Sequence, residues 1–247
     1  FDQLPKETLW MTNQGLKQDA WYLPAKTQTD KTVIVVHGFT NDKEDMKPYA
    51  WRFHELGYNV LMPDNMSHGD SEGRIIGYGW NDRLNVIKGA DLLVEKKPNS
   101  QITLFGLSMG AATVMMASGE ESLPKQVVGI IEDCGYSSVW DELKYQAKEM
   151  YNLPAFPILY EVSALSKLRA GFSYGEASSV NQLKNGSNVK CSTCSTAFRN
   201  VLQCQLKRLQ LLLKLFQLLL ICCIQEMILC TGLSATSGRN NNSSERR

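Results

Sequence analysis

No histidine follows His68 and no aspartate follows Asp141 in this chain of 247 residues. Chemistry that needs an imidazole late in the chain is thereby excluded, because His37, His54 and His68 all lie in its first third. Residues 186–247 also lack proline, tryptophan and tyrosine, yet hold six of the seven cysteines. Before them Cys134 stands alone, which excludes a disulfide scaffold for the front of the chain. Net charge is only +1, so nucleic acid is not an expected partner. The balance is uneven: residues 1–185 carry 18 Lys/Arg against 23 Asp/Glu, and residues 186–247 carry 8 against 2. No secretory leader is visible after Phe1. The tail's longest uninterrupted apolar stretch, "LLLICCI", falls far short of the roughly 20 residues of a spanning helix.

At 43% hydrophobic, the chain is long enough to bury one full core. "ETLWMT" and "DAWYLP" flank "NQG" and predict a hairpin. "KTVIVVHGFT" is too uniformly apolar for a half-exposed strand and suits the centre of a parallel sheet covered on both faces. Residues 44–56 place Met46, Tyr49, Ala50, Phe53 and His54 at helical spacing. "YNVLMPD", "ITLFG" and "QVVGIIED" read as further buried strands. "GWNDRLNVIKGADLLVEKK", "SMGAATVMMASG" and "SSVWDELKYQAKEMYN" read as helices. This alternation predicts an α/β fold with a mostly parallel central sheet and helices on both faces. Residues 137–184 are a mixed insertion expected to lie over one end of the sheet like a cap. From Asn185 the rhythm stops. "VLQCQLKRLQLLLKLFQLLLICCIQEMILC" carries leucine on every face, and "TSGRNNNSSERR" has the composition of a disordered end.

Ser108 stands in "GLSMG" between a buried strand and a helix, the context of a nucleophile elbow. Gly106 and Gly110 are the small neighbours that so strained a turn needs. The helix start behind the serine favours developing negative charge. The N–H of Met109 and, after His37-Gly38, the N–H of Phe39 are the expected oxyanion donors. Removing one such donor costs about 3–4 kcal/mol in a well-studied protease. His37 is expected to order its turn, His68 to hold the following loop, and His54 to pack on its helix.

"VVHGFTNDKEDM", "GYNVLMPDNMSHGDSEG", "GLSMGAAT" and "IIEDCGYSSVWDE" occur in that order. On these stretches, residues 1 to about 184 resemble the α/β-hydrolase superfamily, in particular bacterial serine hydrolases of the prolyl-oligopeptidase-like and cell-surface group. The resemblance implies a Ser-His-Asp triad and an acyl-enzyme on Ser108. It implies hydrolysis of a small-molecule carboxylic ester, or less readily a peptide amide, with no metal or organic cofactor. It also implies a bacterial cytoplasmic protein or one anchored at the cell surface by an N-terminal helix. Trp140, Tyr145, Tyr151, Phe156 and Tyr160 in the insertion suggest either an apolar substrate pocket or packing.

In that superfamily the acid and the histidine follow the serine in chain order. Here the expected places, beyond residue 185, offer neither. Asp133, at the end of "VVGIIED", is either a substitute acid one strand early or a turn cap. Loss of a key triad member costs about 10⁶ in kcat in subtilisin. With later strands missing, "VVGIIED" is expected at a sheet edge, although "NVKCSTCSTAF" is tolerable as a strand. Three readings of the atypical tail from about residue 185 stand side by side. It is out-of-frame polypeptide, or a natural replacement that makes a catalytically inactive binding protein, or a basic leucine-rich segment that associates with a membrane surface. Cys191-x-x-Cys194 has metal-ligand spacing but no second pair, so no metal site is expected. Asn185-Gly186-Ser187 and Asn241-Asn242-Ser243 fit a glycosylation acceptor pattern.

Overall fold

The computed structural model describes residues 1–186 and 189–193. The leucine-rich run, Ser187, Cys194 and the Asn241-Asn242-Ser243 pattern lie outside the described residues. Strands β1 (Glu7–Asn13) and β2 (Leu16–Leu23) form the expected hairpin, with Gln14 and Gly15 at φ of 51° and 77°. A two-residue turn between twisted strands demands that left-handed pair. Next come β3 (Lys31–Val36), a 3₁₀ turn (Lys43–Met46), α1 (Lys47–Glu55), β4 (Asn59–Pro63), α2 (Asp82–Lys96) and β5 (Gln101–Leu107). The remainder is α3 (Met109–Ala117), β6 (Val127–Asp133), α4 (Val139–Tyr151), α5 (Ile158–Ala170), α6 (Ser179–Asn185) and β7 (Lys190–Thr193).

The sheet order is β1-β2-β4-β3-β5-β6-β7, antiparallel at β1, β2 and β4 and parallel from β4 onward. β3 shows why its sequence is apolar throughout. Val33 and Val35 pack on one face with Met46 and with Ala50 of α1. Ile34 and Val36 pack on the other with Val86 and Ala90 of α2 and Val114 of α3. Each such side chain stabilises the fold by about 1.5–3 kcal/mol when fully buried. The chain enters the sheet on either side of β3, and in open parallel sheets ligand sites lie beyond the strand ends at such a crossover point.

Two features differ from expectation. β6 is not the sheet edge, because Gly129–Glu132 pair in parallel register with Lys190–Thr193. The cysteine-containing stretch supplies a strand of four residues, and a short strand beginning with lysine suits an outer position. The expected insertion over 137–184 also divides. α4 and α5 share a small core with α3 through Val139, Leu159, Phe172, Ala112 and Met116. α6 instead lies against the end of α3, where a methyl group on Gly119 or Gly186 would strike Gln182 or Ser118. It is the crossover helix between β6 and β7. No helix among the described residues is long and apolar enough to cross a membrane.

Candidate active site

The end of β5 delivers Ser108 into a conformation that ordinary residues avoid, with φ 55° and ψ −115°. Such backbone costs on the order of 1–3 kcal/mol and persists only where the surroundings enforce it. They do so here by close approach. A Cβ on Gly106 would stand 2.2 Å from the Gly110 carbonyl oxygen, and one on Gly110 would stand 2.2 Å from that of Val36. The Ser108 N–H donates to the Asp133 carbonyl at 2.8 Å, which ties the turn to the end of β6. Met109 opens α3, so its N–H has no acceptor within the helix.

The turn after β3 lies beside it. A Cβ on Gly38 would sit 3.5 Å from that of Ser108, in ordinary contact, which places the Gly38-Phe39 peptide next to the serine. His37 is fully buried and uses both ring nitrogens locally: Nδ1 donates to the Gly38 carbonyl at 2.8 Å, and Nε2 accepts from the Asn65 N–H at 2.9 Å. Those partners fix a neutral tautomer, and burial pushes its pKa down to about 4. His68 contacts the Met66 carbonyl at 2.9 Å, and His54 contacts that of Pro24 at 3.1 Å. None of the three imidazoles hydrogen-bonds Ser108.

Ser108 opens into a cavity of about 110 Å³ walled by Phe39, Tyr78, Met109, Tyr136 and the inner face of α4. Phe39 stacks on Tyr78 at 5.8 Å between ring centroids, and the Tyr136 hydroxyl donates to the Tyr78 carbonyl at 2.7 Å. The insertion's aromatics do not form this wall. Trp140 and Phe156 pack against Tyr160, at 4.8 and 5.9 Å, and Tyr145 and Tyr151 are exposed.

The sequence matches the family model of the serine aminopeptidases, S33, over residues 27–186, more than half of the chain. The chain belongs to the S33 serine aminopeptidase family of α/β hydrolases. It is 32% identical over 179 residues to the uncharacterized protein YqkD of Bacillus subtilis (strain 168), covering 72% of this chain and 58% of that one. The chain therefore spans less than two thirds of that relative. The esterase Pf2001 of Pyrococcus furiosus is similar in structure, with a TM-score of 0.55 at 22% identity over 77% of this chain and 82% of its own. The α/β hydrolase GrgF from Penicillium sp. sh18 gives 0.54 at 16% identity over 84% and 97%. At these identities the likeness is one of fold.

The end of β6 brings Asp133 and Cys134 up to the Ser108 turn. Asp133 is buried at the end of β6, where burial and then the neighbouring Glu132 raise its carboxyl pKa, and no imidazole contacts it. Cys134, next along, is pushed up to about 11, chiefly by burial. A thiol so protonated is no rival nucleophile near neutral pH. Sequence reasoning missed two features nearby. One is Glu142 with Gln146, both on the cavity face of α4. An inward polar pair four residues apart among Val139 and Leu143 was the available signal. The other is a buried cluster in which the Lys43 ammonium meets Asp19 and Asp64 at 2.6 Å and Asp70 at 2.8 Å. The three carboxylates are close enough to surround a cation, and the Lys43 ammonium already stands among them.

Proposed function

We propose that this chain is a serine hydrolase that cleaves a carboxylic ester through an acyl-enzyme on Ser108. The observation that carries the reading is the enforced backbone of Ser108 at the head of α3, with the Gly38-Phe39 turn alongside. The Ser108 oxygen adds to the carbonyl carbon, and the displaced electron pair collects on the carbonyl oxygen. The N–H groups of Phe39 and Met109 hold that oxyanion. The alkoxide then leaves, and water releases the acid. With no imidazole at hand, the serine proton passes to solvent, and the rate lies about 10⁶-fold below that of a complete triad. An ester is favoured over an amide for the same reason. An alkoxide can leave without a general acid far more readily than an amine can.

A second reading, a catalytically inactive binding protein, is favoured by the absence of any imidazole on Ser108. Fluorophosphonate labelling followed by peptide mapping separates the two. Label on the Ser108 peptide, with 4-nitrophenyl acetate hydrolysis that disappears in Ser108→Ala, supports the hydrolase. A folded sample that takes up no label supports the binding protein.

A further inference from the structure

β1 closes one side of the sheet, and no strand among the described residues lies beyond it. On β2, the carbonyls of Lys17 and Asp19 accept from the N–H groups of Glu72 and Asp64 at 2.9 Å, toward β4 and the loop after it. β2 therefore bonds β1 through the residues between them, which face Glu7, Leu9, Met11 and Asn13. The alternation leaves the N–H and C=O groups of Thr8, Trp10 and Thr12 pointing outward, and all three residues are exposed. We propose that a second copy of this chain pairs with that edge, its β1 antiparallel to this one across a two-fold axis at Trp10. The inference is independent of the reading of Ser108.

Three observations choose this occupant. The outward residues are symmetric about the middle one, so the two-fold sets Trp10 against Trp10 and Thr8 against Thr12. Each facing pair exchanges two main-chain hydrogen bonds, and no like charges stand opposite each other. β1 also lacks the devices that keep edges single. It has no lysine, proline or bulge, and its one charge, Glu7, is taken up by Lys96 at 3.1 Å. The third observation is the helix behind the edge. α2 runs opposite to β1, since Asn85 meets Asn13 and Lys96 meets Glu7. Its Lys88, Asp91 and Glu95 line a groove shared with Trp10 and Thr12. The same rotation lays the two α2 helices antiparallel on one face of the joined sheet, Lys88 of each copy toward Glu95 of the other. Lys88 reaches Asp91 on its own helix at 3.4 Å, whereas Glu95 has no ion-pair partner among the described residues. An arbitrary extended peptide would bring neither match.

Sedimentation equilibrium of the full chain tests it, over about 1 to 100 μM, the range in which small interfaces associate. The expected result is a reversible equilibrium between monomer and dimer. Trp10→Lys, which sets two ammonium groups face to face on the axis, should raise the dissociation constant by about tenfold or more. Leu168→Lys, which puts the same charge on the exposed apolar side of α5, should leave it unchanged. Amide exchange in the native chain reads the register without a substitution. Where about nine-tenths of the chain is dimeric, exchange at Thr8, Trp10 and Thr12 should run about tenfold slower than at high dilution, because only the monomer exposes them. A monomer at every concentration, a dimer that survives Trp10→Lys or is lost in Leu168→Lys, or no slowing at those three amides would each overturn it. Should Trp10→Lys fail to fold, the exchange measurement decides.

Discussion

At the elbow, the two glycines are fixed by carbonyl oxygens rather than by their own backbone angles, so alanine is excluded at both by contact. Gly106→Ala and Gly110→Ala are each expected to lose about 3 kcal/mol, since the methyl group meets main chain that cannot rotate aside. Urea unfolding of each variant measures this. A loss below half that value would mean the turn can open. His37 makes a different prediction. Burial holds its pKa near 4 against an ordinary 6.5, so between those pH values the unfolded chain takes up a proton that the folded chain refuses. Stability contributed by the neutral ring is complete above pH 6.5 and drains away as pH falls through about 4, by on the order of 3 kcal/mol. The urea midpoint should therefore fall less steeply over that window in His37→Gln than in the native chain.

Between elements, the Lys43 cluster does what no single strand could. It joins the middle of β2, the 3₁₀ turn before α1 and the loop after β4. Burial disfavours the ammonium, but hydrogen bonds to Asp19, Asp64 and Asp70 outweigh it and raise the pKa. Lys43→Met leaves the carboxylates of Asp19 and Asp64 buried without their cation, and a loss of about 3–5 kcal/mol is expected in thermal or urea unfolding. Adding Asp70→Asn should recover little, because the Asp70 side chain is 75% exposed. None of this was legible from the sequence, in which Asp19, Lys43, Asp64 and Asp70 are ordinary polar residues far apart. The strands were legible for the opposite reason. Burial on both faces writes itself into consecutive residues, as in "KTVIVV" and "NVLMP". β7 was the hard case, since four residues with little apolar content leave almost no periodicity to read. Ser108, Gly106 and Gly110 were legible because their spacing is local, and Glu142 was not because its importance depends on which way α4 faces.

At the scale of the whole molecule, the proposed reading of Ser108 predicts a division of labour that the described residues fill only by half. The turns after β3 and β5 bring Ser108 beside the Gly38-Phe39 peptide, while His37 commits both ring nitrogens to Gly38 and Asn65, and His68, whose ring lies 5.0 Å from that of His37, contacts the Met66 carbonyl. A site of that kind separates the two halves of a catalytic cycle. An activated ester, whose leaving group needs no help, can acylate Ser108. Acylation and release of the acid both lack a base, but the acyl-serine is an alkyl ester, far less reactive than the aryl ester that formed it, so release is much the slower step. Mixing with excess 4-nitrophenyl acetate should therefore give a burst of nitrophenolate approaching one equivalent per chain, followed by a near-flat line. Linear release from the first seconds would show that a base reaches the site after all. In practical terms the locked imidazole would make the chain a stoichiometric scavenger, a protein that records each encounter with a reactive acyl group and does not forget it.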